Sequence, residues 1–196
     1  RTEKLAEIEN FFNDATRRGA EGVMIKDAAS PYEAGKRGWR WIKFKKDYAE
    51  ALVDTFDLVV VGGLYGAGRR AGTYGSLLVA VYDPRDGHYY SCTKVGAGFT
   101  DADLAALTKK LNKLRLKEKH RLVETGMKPE VWFTPELVME VSAAELTVSP
   151  IHAAARAKLK KGGLALRFPR FLRWRDDNSS TQATTVEEIY NLYRRA

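Results

Sequence analysis

Residues 39–48 read WRWIKFKKDY, and the fold of the first quarter of the chain turns on what this decapeptide is. Taken as a strand, it sends Trp41, Lys43 and Lys45 to one face and Ile42 and Phe44 to the other, because side chains alternate with a period of two. Two ammonium groups then stand on a rigid element, which suits a bound phosphate. An edge strand with a solvated lysine face accounts for the same residues, and the decapeptide by itself favours that plainer reading.

Upstream, residues 21–26 read EGVMIK. This is again strand-like, with Val23 and Ile25 on one face, Glu21 opening it and Lys26 closing it. A polar loop with Pro31, Gly35, Arg37 and Gly38 separates the two strands. A carboxylate, three lysines and Arg37 therefore converge on neighbouring strands. A metal-bound nucleoside triphosphate needs that set: the acid for Mg²⁺, the cations for phosphate.

Composition is consistent with such a ligand. The 196 residues carry 33 Lys and Arg against 25 Asp and Glu, a net charge of +8 that points to a polyanionic partner. A hydrophobic share of 44% permits a core, and the length allows one large domain or two small ones. Cys92 is the single cysteine, which excludes an internal disulfide framework and fits a reducing compartment. There is no zinc-ligand spacing and no signal peptide, and no apolar run approaches the roughly 20 residues of a membrane span. The opening RTEKLAEIENFF reads as the middle of a helix, so the chain is expected to be a piece of a longer protein.

Taken in order, residues 2–18 form a helix with a stripe of Leu5, Ile8, Phe11, Phe12 and Ala15, capped by Gly19. A domain boundary is expected near Asp54. Beyond it come short strands: the apolar run 57–61, residues 76–82, and residues 88–96 after the Asp-Pro-Arg-Asp-Gly turn. Residues 62–75, GGLYGAGRRAGTYG, lack the phosphate-cradling G-x-x-x-x-G-K-S/T pattern and read as a hairpin loop carrying Arg69 and Arg70. An amphipathic helix is expected over 101–116, capped by Thr100 or Asp101. A bent strand follows over 136–149, another strand over 167–175, and a terminal helix over 184–193 with Val186, Ile189 and Leu192 as its stripe. Several short strands with one helix between them fit the small closed barrel of an OB-fold. The fold class is thus mainly β with some α.

Within that region, RFPRFLRWR interleaves Arg167, Arg170, Arg173 and Arg175 with Phe168, Phe171 and Trp174. Arginines among aromatics suit nucleic acid, through guanidinium to phosphate and ring to base or sugar, and a ring can wedge into a minor groove. An amphipathic strand with a buried phenylalanine fits equally well. Lys94, Arg69 and Arg70 add further cations to the same half of the chain, as candidate contacts to a nucleic-acid backbone. His88, His120 and His152 are scattered and expected at the surface. Glu140 and Glu145 are expected to pair with nearby arginines.

EGVMIK followed by WIKFKKDY resembles motifs IV and V of the covalent nucleotidyltransferases, specifically the ATP-dependent DNA ligases of archaeal and eukaryotic replicative type. LRFPRFLRWRDD resembles their motif VI, and the similarity runs from about Gly19 to Tyr193. The resemblance implies that residues 1–54 end an adenylation domain and that residues 55–196 are an OB-fold DNA-binding domain. It implies Glu21 as a Mg²⁺ ligand and Lys26, Arg37, Lys43 and Lys45 as contacts to ATP or AMP. It implies Arg173 and Arg175 with Asp176 at the departing pyrophosphate, Asp47 at the hinge between domains, and Phe168 in the minor groove beside the nick.

The activity so implied is nick sealing in duplex DNA. The enzyme lysine is adenylylated, AMP passes to the 5′-phosphate, and the 3′-hydroxyl attacks. Nicked duplex DNA is the implied partner, a sliding clamp a further one, and a monomer working inside the cell in replication, repair or recombination the implied setting. Two departures bear on this. The K-x-D-G motif that supplies the adenylylated lysine is absent, as is motif III, so no residue here is assigned as catalytic and the chain by itself is expected to be inactive. Asn178 also stands where motif VI usually has lysine. An RNA ligase or capping-type nucleotidyltransferase, or a DNA-binding OB module without chemistry, are the alternative readings.

Overall fold

The structure is a computed structural model that describes residues 1–31, 40–45 and 55–195, apart from the side chains of Arg69, Asp101 and Ala105. Contacts divide the chain into two units, Arg1–Ala51 and Leu52–Ala196.

In the first unit, helix α1 spans Leu5–Arg17. It ends where Gly19 takes φ +89°, a left-handed conformation that costs glycine nothing. Strands β1 (Gly22–Lys26) and β2 (Trp41–Lys45) pair antiparallel, with Gly22 opposite Lys45, Met24 opposite Lys43 and Lys26 opposite Trp41. Glycine is required at position 22, because a Cβ there would lie 2.3 Å from the Phe44 carbonyl oxygen. The helix touches the ladder through Phe12, whose ring sits 4.5 Å from that of Phe44. The expected apolar stripe is only partly used: Phe12 is buried, while Leu5 and Phe11 are 69% and 65% exposed.

The second unit is built on β3 (Thr55–Tyr65). β4 (Tyr74–Asp83) and β5 (His88–Val95) continue from it as an antiparallel meander. Helix α2 (Asp101–Lys113) follows, then β6 (Arg115–Leu116), β7 (Val123–Glu124), β8 (Val131–Phe133) and β9 (Val138–Ser142). Next come β10 (Glu145–Ser149), β11 (Gly163–Arg167), β12 (Arg170–Trp174) and helix α3 (Val186–Arg195). The main sheet runs β12-β9-β3-β4-β5-β7. β8 joins the far end of β3 and carries β6, and β10 and β11 form a ladder of their own.

β3 curls the sheet, since its first half pairs with β9 and its second with β8 along the same edge. It is buried on both sides. Phe56, Leu58 and Val60 enter the larger core with Leu104, Leu107 and Leu111 of α2 and Val186 and Ile189 of α3, while Val59 and Val61 enter a smaller core with Leu78, Ala80 and Val123. Burial of both faces is why 57–61 is an unbroken apolar run. Reciprocal caps seat both helices. Thr100 Oγ1 accepts from the Asp103 amide while the Thr100 amide donates to the Asp103 carboxylate, and Thr185 with Glu188 repeats the arrangement.

Several expectations need correction. The glycine-rich segment 62–75 is not all loop. Gly62–Tyr65 continue β3, and glycine is needed there because a Cβ on Gly62 would meet the Pro129 ring at 2.6 Å. The helix expected to reach residue 116 stops at Lys113, and Arg115 and Leu116 pair with β8 instead. The bent strand over 136–149 is two strands in different sheets, β9 and β10. The strand over 167–175 is likewise broken, because Phe168 adopts φ +53° and Pro169 has no amide to donate to a ladder. His152 is not at the surface. It is 8% exposed, with Nδ1 3.3 Å from Ser91 Oγ, and burial holds its pKa down at about 4.

Candidate functional site

The β1–β2 register gathers the first set of candidates. Directly opposed residues of a ladder share a face, so Met24, Lys26, Trp41, Lys43 and Lys45 stand together, away from the face where Phe44 meets α1. Lys26 Nζ lies 4.2 Å over the Trp41 ring, and Lys45 Nζ donates to Glu21 Oε2 at 3.0 Å. The hydrogen bond and charge of Lys45 hold the Glu21 carboxyl below its ordinary range, with Lys43 adding to the effect. One face of the two-stranded platform thus presents the Glu21 carboxylate beside Lys45 at one end, Lys43 in the middle and Lys26 at the other end. Arg37 and Asp47 lie outside the described residues.

A metal here would have Glu21 as its protein ligand. Among the described residues no three His, Cys, Asp or Glu side chains come together. Mg²⁺ is usually held by one or two carboxylates and completed by substrate phosphate and water. A lone ionised carboxylate beside phosphate-seeking lysines fits that mode, and it does not fit a protein-only cage.

The second set of candidates lies in the other unit. Phe168 is 51% exposed, so the core alternative for it does not hold. Its left-handed backbone stands the ring out of the turn between β11 and β12, with the Arg167 guanidinium carbon 4.9 Å over it. Arg167 Nη1 is paired with Glu145 at 2.8 Å. Arg170 is exposed on β12 and makes no ion pair among the described residues. Its backbone bridges Ala97, and the next amide, that of Phe171, donates to Ala97 O. The segment around Ala97 also receives Arg70, whose guanidinium donates to Gly96 O and Phe99 O at 3.3 and 3.5 Å. Arg70 is therefore part-buried and engaged within the unit rather than held out from its loop. Lys94 is exposed on β5.

Arg173 and Arg175 are committed within the fold. Arg173 pairs with Glu140 at 2.5 Å across the β9–β12 ladder, as expected for Glu140. Arg175 Nη1 donates to Asp57 Oδ2 at 2.7 Å, and its Nε and Nη2 grip Asp177. These carboxylates raise the Arg175 pKa further. Asn178 Nδ2 donates to the same Asp57 oxygen at 2.8 Å. The residue that departs from the family pattern thus helps to satisfy the acid that anchors Arg175.

Both halves of the chain have matches among known proteins. Residues 70–178 match the family described as ATP dependent DNA ligase C terminal region, and residues 1–45 match the ATP dependent DNA ligase domain. The chain belongs to the ATP-dependent DNA ligase family. It is 50% identical to a DNA ligase of Pyrobaculum islandicum over 191 residues, 96% of this chain and 33% of that protein. It is also 50% identical to a DNA ligase of Caldivirga maquilingensis, over 98% of this chain and 32% of that one. The chain therefore spans about a third of the length of the curated relatives it matches. In structure it is similar to the ligase domain from M. tuberculosis LigD, with a TM-score of 0.54 and 25% identity over 88% of this chain and 50% of that one.

Proposed function

We propose that this chain is the part of an ATP-dependent DNA ligase that completes the nucleotide site and carries the OB-fold DNA-binding domain. The observation that carries this reading is the β1–β2 register, which aligns Lys26, Lys43 and Lys45 along one face, with Glu21 beside Lys45, in a chain whose two segments match the ligase family.

In this reading Lys43 and Lys45 lie along the α-phosphate of ATP and of the AMP adducts. There they offset the charge that builds on the phosphoryl oxygens in the transition state. Lys45 exchanges its Glu21 partner for phosphate, and Glu21 would hold Mg²⁺, which when bound would supply Lewis-acid stabilisation of the developing charge. Lys26 and Arg37 contact the nucleotide, and Arg173 and Arg175 serve the pyrophosphate. Those two arginines must leave Glu140, Asp57 and Asp177 to do so. Phe168 enters the minor groove at the nick while Arg69, Arg70, Lys94, Arg167 and Arg170 track phosphates. The curled sheet of the second unit is the OB barrel, and the setting is intracellular DNA replication and repair with a sliding clamp as recruiting partner.

The nucleophilic lysine must come from outside these residues, since no K-x-D-G occurs in them. Incubated with labelled ATP and Mg²⁺, the 196-residue chain should form no acid-stable adduct; a stoichiometric adduct would overturn the reading. In a ligase that includes this chain and the K-x-D-G lysine, Lys43→Ala should slow single-turnover adenylylation severely, whereas Arg170→Ala should leave it unchanged and weaken nick binding. Normal adenylylation by Lys43→Ala would remove motif V from β2.

A further inference from the structure

A further basic stretch lies at none of these positions. Residues 109–128 hold eight Lys and Arg against two Glu, a net +6 out of +8 for the whole chain. At its centre, Lys113, Arg115, Lys117, Lys119 and Arg121 occupy every second position, with Glu118 as the one anion among them. All five cations are exposed, and none makes an ion pair among the described residues. Leu114 and Leu116 alternate with them. Leu114 packs against the large core, and Leu116 faces Trp132 across the β6–β8 ladder.

The stretch has a shape as well as a charge. A cleft of about 370 Å³ opens beside β6 and β8, lined by Arg115, Lys117, Leu116 and Trp132 together with Glu130 and Val131. Its one carboxylate is already used, because Glu130 Oε2 accepts from the Tyr65 amide at 2.7 Å. The cleft thus offers a half-buried indole between cations that make no ion pair among the described residues, with Glu130 held by the Tyr65 amide. Five unneutralised cations in nine residues repel one another, which an anionic ligand relieves. An indole flanked by cations suits a nucleic-acid backbone, taking sugar on its flat face and phosphate on either side.

We propose that this cleft is a second DNA contact, one that grips the sugar–phosphate backbone of the duplex flanking the nick and does not sense the nick itself. The proposal rests on the DNA-binding reading above. Phe168 and Arg170 would supply the preference for a nick, and the 113–121 stretch a sequence-blind and nick-blind hold.

The test is salt-titrated fluorescence anisotropy of the full chain on nicked and intact duplexes of about 30 base pairs. With Lys113, Arg115, Lys117 and Lys119 all changed to Gln, the log–log salt slope should become shallower by about 2–3, since each phosphate contact contributes about 0.9. Affinity at low salt should drop at least about tenfold, by the same factor on both duplexes. Trp132→Phe should keep the slope and most of the affinity, and Trp132→Leu should lose severalfold in affinity with the slope kept. The pair Arg115→Glu and Lys117→Glu provides a second variant should the quadruple one melt early. An unchanged slope in variants that remain folded, with nick preference intact, overturns this proposal alone. A native chain that binds neither duplex overturns the DNA-binding reading and this proposal with it. Loss of binding to polyglutamate with an unchanged DNA slope would make the cleft a dock for an acidic protein, and that too overturns the proposal.

Discussion

The two units use their apolar residues in opposite ways. In Arg1–Ala51 the described residues bury one large hydrophobic side chain, Phe12, and leave Leu5, Phe11, Met24, Trp41 and Ile42 exposed. In Leu52–Ala196 two cores flank β3, and two helices are capped and seated against the larger one. Taken by themselves, the described residues of the first unit, a two-stranded ladder with one helix joined to it by the Phe12–Phe44 ring pair, are marginal in water. A many-stranded sheet buried on both faces is not. The residues that converge for nucleotide chemistry therefore stand on the weaker scaffold, and those proposed to hold DNA on the stronger one.

Hydrogen exchange on the full chain is the broadest way to break that contrast. Amides in the middle of β3, β4 and β5 should exchange only by global opening of their unit. The amides of Gly22–Lys26 and Trp41–Lys45 should exchange at least about a hundredfold faster through local opening. Equal protection in the two units would mean that the first draws on stability not visible in its own contacts.

Core truncation sharpens the same contrast. Leu58 is fully buried at the centre of β3, so Leu58→Ala should cost about 2–5 kcal/mol in a thermal or urea melt. Phe12→Ala should leave the main transition where it was, because Phe12 packs on Phe44 within the first unit. A shift of the main transition by Phe12→Ala would show the two units melting as one.

Acid separates the units next. His152 belongs to the second unit, and burial holds its pKa near 4 against 6.5 for a free histidine. The unfolded chain therefore takes up the proton first as pH falls. The contribution is full above pH 6.5, shrinks through the window from 6.5 to 4, and amounts to at most about 3.5 kcal/mol at about 1.4 kcal/mol per pH unit. His152→Asn should flatten the stability profile over that window in urea melts between pH 7.5 and 4. The depressed carboxyls of Asp83, Glu140 and Asp177 add their own losses on further acidification. If native protein and variant lose stability in parallel between pH 6.5 and 4, His152 takes its proton within the fold at little cost.

How much of this was legible in the sequence depended on whether a signal was local. Period-two alternation in EGVMIK and WIKFK gave the ladder and the shared face of Lys43 and Lys45, and helix stripes with their caps gave α2 and α3. That Glu140 and Glu145 pair with arginines was expected, but which arginines, Arg173 and Arg167, follows from strand pairing that only the structure gives. What failed needed three-dimensional context. Gly62 and Gly63 look like loop residues, yet they are strand residues pressed against Pro129, Tyr74 and Phe133. β6, β7 and β8 are two or three residues long and carry too little pattern to be seen. The burial of His152 comes from the residues around 150–164 folding against Ser91, which no periodicity announces. The cation at every second position of 113–121 was visible as a pattern, but the helix reading through residue 116 absorbed it.

The smallest effect tests whether Phe168 is kept for function at a cost to the stable unit. A phenylalanine at φ +53° is rare, and holding a bulky L-residue there costs about 1–3 kcal/mol. Its ring is half exposed and, among the described residues, its one ring contact is with Arg167, so little packing offsets the strain. Glycine is at ease in the left-handed region and loses about 0.5–1 kcal/mol in chain entropy on folding. Phe168→Gly should therefore stabilise the second unit by about 0.5–1 kcal/mol, a rise of roughly 1–4 °C in melting temperature. Phe168→Asn, which tolerates the same backbone, should do nearly as well, and Phe168→Ala, which keeps the strain and loses the ring, should not. On nicked DNA all three should bind more weakly at an unchanged salt slope, because a ring in a groove displaces no counterions. Opposite signs for stability and binding in the glycine variant would mark Phe168 as a residue held in strain for its contact with DNA. A glycine variant that melts earlier than the native chain would mean instead that the ring does packing work in the turn between β11 and β12, and the contrast between a stable scaffold and a strained contact would fail at that point.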